Sequence, residues 1–340
     1  MKSKPLIAMI QGDPAGIGPE LMIKLLSDDE VRQRADIAVI GAPSVIERGE
    51  SIVGTEIDRS HVARFDRTLS RSALQHIDLD IEDIEKVPQS EVSAAGGLSS
   101  LTGLKLAFGL AKNKSIDGIC FMPFNKESMH LGGNPFMDEI GYARDFFDID
   151  TAASEFNIAD GMWNGRVTSH VAMKDVPGLL SQDRICQSIE LADSTLKMAG
   201  YDRPRIAVAA YNPHAGDGGL MGREEIDIIQ PAVEKMQERQ IQVAGPFPAD
   251  TLWLKVRDGE YDVVVTMYHD QGQIAIKLLG FDKGVSLLAG LPIPVTTPAH
   301  GTAFDIAGAN KANLIPAKNA FMMCCDLTEG LSETGGWYQK

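Results

Sequence analysis

The chain reads as an α/β protein of two domains. Short apolar runs alternate with amphipathic helical stretches: PLIAMIQ precedes PELMIKLLS, DGICFMP follows TGLKLAFGLAKN, and RIAVAAY precedes REEIDIIQPAVEKMQERQ. That alternation predicts parallel strands covered by helices. A length of 340 residues suggests about two domains. No internal repeat, low-complexity tract or Pro-rich linker marks a tandem boundary, so interleaved domains are expected. The polar, Gly-containing stretch Lys126 to Gly141 is the candidate first crossing and the region of Pro298 the candidate return. The expected division is residues 1–130 plus 299–340 against 131–298.

Composition narrows the function. A formal charge of -15 argues against nonspecific nucleic-acid binding, which needs Lys and Arg to displace counterions from phosphates. No apolar run approaches the roughly 18 residues of a membrane span, and MKSKPLIAMIQGDP lacks a hydrophobic segment with a cleavage site, so a cytoplasmic protein is expected. Cys120 and Cys186 are isolated and Cys324 and Cys325 adjacent, a spacing that suits buried free thiols better than disulfides or a zinc knuckle.

The first strand leads into GDPAGIGPE, Gly12 to Glu20. Gly16 and Gly18 permit close backbone approach and Pro19 can open a helix. The spacing is not G-x-G-x-x-G, so the turn fits a nucleotide-binding loop and a plain tight turn equally well. Further on, three apolar runs each end near a histidine: RVTSH at His170, RIAVAAYNPH at His214 and YDVVVTMYH at His269. Open α/β sheets place ligands at the carboxyl ends of parallel strands. Imidazoles from separate elements are a common way to hold a catalytic divalent metal with one position open. Near the C-terminus, HGTAFDIAGANKAN (His300 to Asn313) has the glycines and small residues that let backbone amides approach a ligand.

That last segment resembles the adenosine-binding loop of isocitrate and isopropylmalate dehydrogenases. With it, GDPAGIGPE, SHVAMKD at His170, NPHAGDGGLMGREEID from Asn212, GPFPADT from Gly245 and MYHDQGQIAIK from Met267 make the chain resemble the 4-hydroxythreonine-4-phosphate dehydrogenase (PdxA-type) family nearly end to end. The resemblance implies a two-domain isocitrate/isopropylmalate dehydrogenase-like subunit in a homodimer, with shared active sites near the interface and NAD or NADP as cofactor. It also implies one divalent ion (zinc, cobalt, nickel, manganese, magnesium or iron) held by histidines from both subunits. Carried over, the ligands are His170, His214 and His269. His300 and Asn313 are the adenine contacts, with Gly301, Thr302, Ala303, Asp305 and Gly16 completing the cofactor site. Asp270 and Asp250 would orient substrate or ligands, and Lys277 would serve as proton donor or base. The implied reaction is oxidation and decarboxylation of a β-hydroxy acid.

Departures from the family pattern bear on the substrate. After Pro135 and Phe136 the usual T-G-H-T-E is replaced by Met137, Asp138, Glu139 and Ile140. Ser286 and Val295 stand where the family carries Asn and Arg. Losing an Arg contact to an oxyanion costs about 1.5–3 kcal/mol. The expected substrate is therefore one other than 4-phosphohydroxythreonine; the family's resemblance to the dehydrogenases of carboxylated cis-dihydrodiols implies such a dihydrodiol, with Val295, Ile140 and Met137 lining a less polar pocket. Alternatives are 4-hydroxythreonine 4-phosphate or a threonate or erythronate 4-phosphate, with Arg144 or Lys283 supplying the missing cation, and a non-catalytic binding module.

Overall fold

The computed structural model describes residues 4–65 and 74–334. The chain divides into two compact units, Met1–Ile149 with Leu291–Lys340, and Asp150–Gly290. The first unit is therefore discontinuous, and its edges differ from the expected 130 and 299. The reason lies in the helix Glu139–Phe147. Asp138 caps it by accepting from the Gly141 amide at 3.0 Å. Its aromatic face then packs on Phe108 of the helix Ala94–Lys112, with ring centroids 5.5 Å (Phe146) and 4.9 Å (Phe147) away. A polar, Gly-containing segment looked like a crossing, but the apolar residues just after it belong to the first core.

The first five strands are β1 (Leu6–Ile10), β2 (Asp36–Gly41), β3 (Arg59–His61), β4 (Leu74–Asp78) and β5 (Gly118–Phe121). The second unit carries β6 (Ser154–Ala159), β7 (Met162–Arg166), β8 (Ile206–Ala209), β9 (Val243–Phe247), β10 (Val263–Thr266) and β11 (Val285–Ala289). The chain then returns to the first unit as β12 (Val295–Pro298).

In the first unit the lateral order is β3-β4-β2-β1-β5-β12, and every pairing is parallel. The sequence shows why: LIAMI of β1 is buried at every position, as a strand covered on both faces requires. The C-terminal helix Ile315–Thr334 covers β5 and β12, burying Phe321, Cys324 and Cys325. All four cysteines are free and buried, and burial pushes the Cys120 thiol up to about 12.

The second unit is mixed, in the order β11-β6-β7-β10-β8-β9. β6 and β7 form a hairpin through Asp160 and Gly161, both at positive φ (52° and 79°), the conformation of a tight primed turn. β7, β10, β8 and β9 run parallel. No helix among the described residues is long and apolar enough to cross a membrane.

Candidate functional site

The three expected metal ligands follow three neighbouring strands, β7, β10 and β8, at their carboxyl ends. After β7 the chain is tied to the end of β10: the Val167 amide donates to Thr266 O at 2.8 Å, and the Thr168 hydroxyl to Met267 O at 2.7 Å. This brings the rings of His170 and His269 to 5.5 Å between centroids. His269 opens the helix His269–Gly280, and its Nδ1–H donates to Asp270 Oδ1 at 2.7 Å. The Nε2 lone pair is thereby left for another partner, the arrangement seen when a carboxylate orients a metal-binding imidazole.

His214 is positioned by an unusual backbone. Residues 214–218 all lie in the left-handed region, with φ 53° at His214, 55° at Ala215 and 44° at Asp217. Such runs are costly for L-residues and persist only where surroundings impose them. The buried carboxylate of Glu225 anchors the chain just before this run. Oε1 accepts from the amides of Tyr211 (2.8 Å) and Asn212 (2.7 Å), and Oε2 from Asn212 Nδ2 (2.9 Å). Glu225 begins a π-helical turn, Glu225–Ile229, ahead of the helix Gln230–Glu238. Such turns recur at functional sites because they re-aim a side chain. Gln271 supplies the second tie. Its Oε1 accepts from the Met267 amide (2.8 Å) and its Nε2 donates to Ala210 O (2.6 Å), fixing the end of β10 to the end of β8. Sequence reading did not single out Glu225 or Gln271, although both lie within the motifs it quoted.

A buried polar network lies beside His170. Arg166 pairs with Glu155 (2.6 Å) and donates to Asn157 Oδ1 (2.8 Å) and Ser169 Oγ (3.0 Å). Ser286 joins it, its hydroxyl donating to Glu155 (2.7 Å) and accepting from Asn157 (2.9 Å). Ser286 is thus a link between β11 and β6. Val295, expected to line a pocket, is fully buried within β12 opposite Ile119. The absence of an arginine said nothing about where its replacement would point. Of the two substitute cations considered, Lys283 is paired with Asp160 at 2.9 Å.

Asp250 sits in the first turn of the helix Ala249–Arg257, after β9 and at the same end of the sheet as the histidines. Lys277 lies further off. The helical rise puts it about 12 Å along the axis from His269, and its ammonium lies over the Phe281 ring at 5.9 Å. The structure does not bring it to the histidines of its own chain.

In the first unit, His300 to Asn313 form an irregular loop held by the helix Gly18–Leu26. Glu20 accepts from the amides of Gly308 (2.9 Å) and Ala312 (3.3 Å), while Lys24 donates to the carbonyls of Asn310 (3.2 Å) and Ala312 (3.1 Å). Burial lowers the pKa of His300, whose Nδ1–H donates to Gly301 O at 3.1 Å, so its ring is neutral at pH 7 with Nε2 as an acceptor. Gly301 and Asp305 are exposed, whereas Thr302 is buried. Gly16 is buried too: a Cβ there would come within 2.7 Å of Thr302 Cβ. What the structure shows for Gly16 is close packing of two loops rather than an amide offered to a ligand.

The donor set His170, His214 and His269, with Asp270 behind His269, suits a borderline divalent cation. Among the described residues, the group whose potential ligand atoms already stand together is a different one: His61, His76 and Asp78 in the first unit, all within 4.8 Å of one another.

Residues 33–324 match the family of the pyridoxal phosphate biosynthetic protein PdxA. A Pseudomonas aeruginosa protein provisionally named 4-hydroxythreonine-4-phosphate dehydrogenase 2 is 47% identical, covering 95% of this chain and 97% of its own. The D-threonate 4-phosphate dehydrogenase of Pectobacterium atrosepticum is 38% identical over 90% and 94%. Among solved structures, 4-hydroxythreonine-4-phosphate dehydrogenase from Klebsiella pneumoniae superposes with a TM-score of 0.82 at 34% identity, covering 96% of this chain and 100% of the other. A terephthalate 1,2-cis-dihydrodiol dehydrogenase from Burkholderia xenovorans is more distant, with a TM-score of 0.65 at 27% identity over 93% and 98%. On this evidence the chain belongs to the PdxA family of dehydrogenases.

Proposed function

We propose that the protein oxidises the hydroxyl β to the carboxylate of a small phosphorylated hydroxy acid, of the 4-hydroxythreonine 4-phosphate or threonate 4-phosphate class, with NAD or NADP as hydride acceptor. The observation that carries the reaction is the gathering of His170, His269 and His214 at the ends of β7, β10 and β8, with Asp270 orienting His269. The phosphorylated class is favoured because relatives named for phosphorylated substrates stand at 47% and 38% identity, against 27% for the dihydrodiol enzyme. The argument for an apolar pocket also weakens, since Val295 is enclosed in a strand.

In this reading His170, His214 and His269 hold one divalent ion, completed by a second subunit in a homodimer. When bound, the ion supplies Lewis acidity to the substrate oxygen. Asp270 keeps His269 in the Nδ1–H tautomer, and Asp250 faces the polar end of the substrate. The loop of His300 to Asn313, with His300 and Asn313 toward adenine, holds the dinucleotide. The alcohol gives its hydride to the nicotinamide and its proton to solvent, and the resulting β-keto acid loses carbon dioxide.

The test is reduction of NAD and NADP with 4-phosphohydroxythreonine, D-threonate and D-erythronate 4-phosphates, unphosphorylated threonate and a carboxylated cis-dihydrodiol. Turnover confined to one or more phosphorylated acids is expected. Faster turnover of the dihydrodiol would overturn the substrate assignment, and no turnover of any hydroxy acid would overturn the reaction.

A further inference from the structure

We propose a second divalent-metal site, of zinc type, at the β3–β4 edge of the first unit, formed by His61, His76 and Asp78. It is independent of the three histidines of the second unit and of the dehydrogenase reading. His61 and His76 face each other across the parallel pair β3–β4, with ring centroids 4.8 Å apart. Asp78, two residues beyond His76 and on the same face of β4, brings Oδ1 within 2.7 Å of His61 Nδ1 and 3.5 Å of His76 Nδ1. All three ligand atoms lie within 4.8 Å of one another.

The decisive atom is His76 Nδ1. The ring is fully enclosed, and its other nitrogen, Nε2, donates its hydrogen to Gly41 O at 2.9 Å. Nδ1 therefore carries a lone pair, and among the described residues this buried nitrogen has no hydrogen-bond partner. An ordinary histidine–aspartate relay would satisfy that atom. Here the neutral ring aims an unused lone pair at a carboxylate that can only accept. A cation between them resolves both. Tetrahedral zinc with ligands near 2.0–2.2 Å has ligand–ligand edges of about 3.4 Å, which the His76–Asp78 separation of 3.5 Å already matches. His61, half exposed on a three-residue edge strand, would close the set by turning away from its hydrogen bond to Asp78. The nearby cation Arg59 is engaged by Glu50, which offsets its repulsion. Water fills the fourth position, on the exposed side. The site would pin β3, whose pairing is short, to the sheet.

The experiment uses the full chain, stripped with chelator, in a His170→Ala/His214→Ala/His269→Ala background that removes the other candidate ligands. Zinc is titrated by calorimetry and counted by mass spectrometry, and cobalt serves as a spectroscopic probe of coordination. About one zinc ion per chain is expected, with affinity falling at least about tenfold in His61→Ala and in Asp78→Asn. Both positions are partly exposed, so both variants should fold; His76→Gln, checked by circular dichroism, tests the enclosed ligand. A background protein that takes up no zinc overturns the proposal. So does zinc binding unchanged by both His61→Ala and Asp78→Asn.

Discussion

Glu225→Gln tests whether one buried carboxylate holds the His214 loop in shape. Three non-glycine residues there, His214, Ala215 and Asp217, adopt left-handed backbone, at about 1–2 kcal/mol each, or roughly 3–6 kcal/mol together. Glu225 opposes that cost with three hydrogen bonds to a charged acceptor, each contributing about 1.5–3 kcal/mol. Glutamine can keep both backbone amides on Oε1, without the charge, but turns an NH2 group toward Asn212 Nδ2. One bond of about 2 kcal/mol is lost and two are weakened, a loss of about 3 kcal/mol. That corresponds to roughly a hundredfold in the equilibrium between ordered and loosened loop. Zinc or cobalt affinity at the three-histidine site, measured by calorimetry, should weaken by about that factor and kcat/KM should fall with it, while circular dichroism stays unchanged. Metal affinity within about threefold of the parent protein would refute this account.

Asp270→Asn should weaken metal binding about 10- to 100-fold, because it removes the carboxylate that orients His269; an unchanged dissociation constant would show the pair to be incidental. Gly272→Ala drives a Cβ into the side-chain amide of Asn164 in the interior of the second unit. Thermal unfolding should begin several degrees lower, corresponding to about 1–3 kcal/mol of overpacking. Asp28 caps the helix Asp29–Arg34, and the Lys318 ammonium holds its carboxyl below the usual carboxylate range. A depressed folded-state pKa contributes stability that is complete above the unfolded value of about 3.9 and is lost as pH falls through the lower folded value. Asp28→Ala should therefore cost about 1 kcal/mol in urea denaturation at pH 7, and the gap to the parent protein should narrow in acid below pH ~4. A constant gap would count against the ion pair.

What the sequence made legible were features whose signal is local. Strand-end histidines could be placed because each follows an apolar run, and the runs pair as neighbouring parallel strands. Glu225 was hidden because REEIDIIQPAVEKMQERQ has helical periodicity throughout, whereas the chain inserts a π turn there and sends the carboxylate to a loop more than ten residues back. Gln271 was hidden because its partners are backbone atoms, the Met267 amide four residues back and the distant Ala210 carbonyl. The substrate pocket was misread at Val295 because a residue's absence from a motif does not reveal which way the strand turns its replacement. The domain edge moved because aromatic packing of Phe146 and Phe147 on Phe108 is a long-range fact that a polar linker composition does not report.

The clamp of Glu20 and Lys24 on the loop from His300 to Asn313 bears on when disorder is removed. One turn of one helix fixes Gly308, Asn310 and Ala312 through four hydrogen bonds. Ordering a residue's backbone costs about 1–2 kcal/mol. For these residues that cost is incurred during folding, so a ligand arriving at the loop meets a surface already in place and retains the affinity that ordering would otherwise consume.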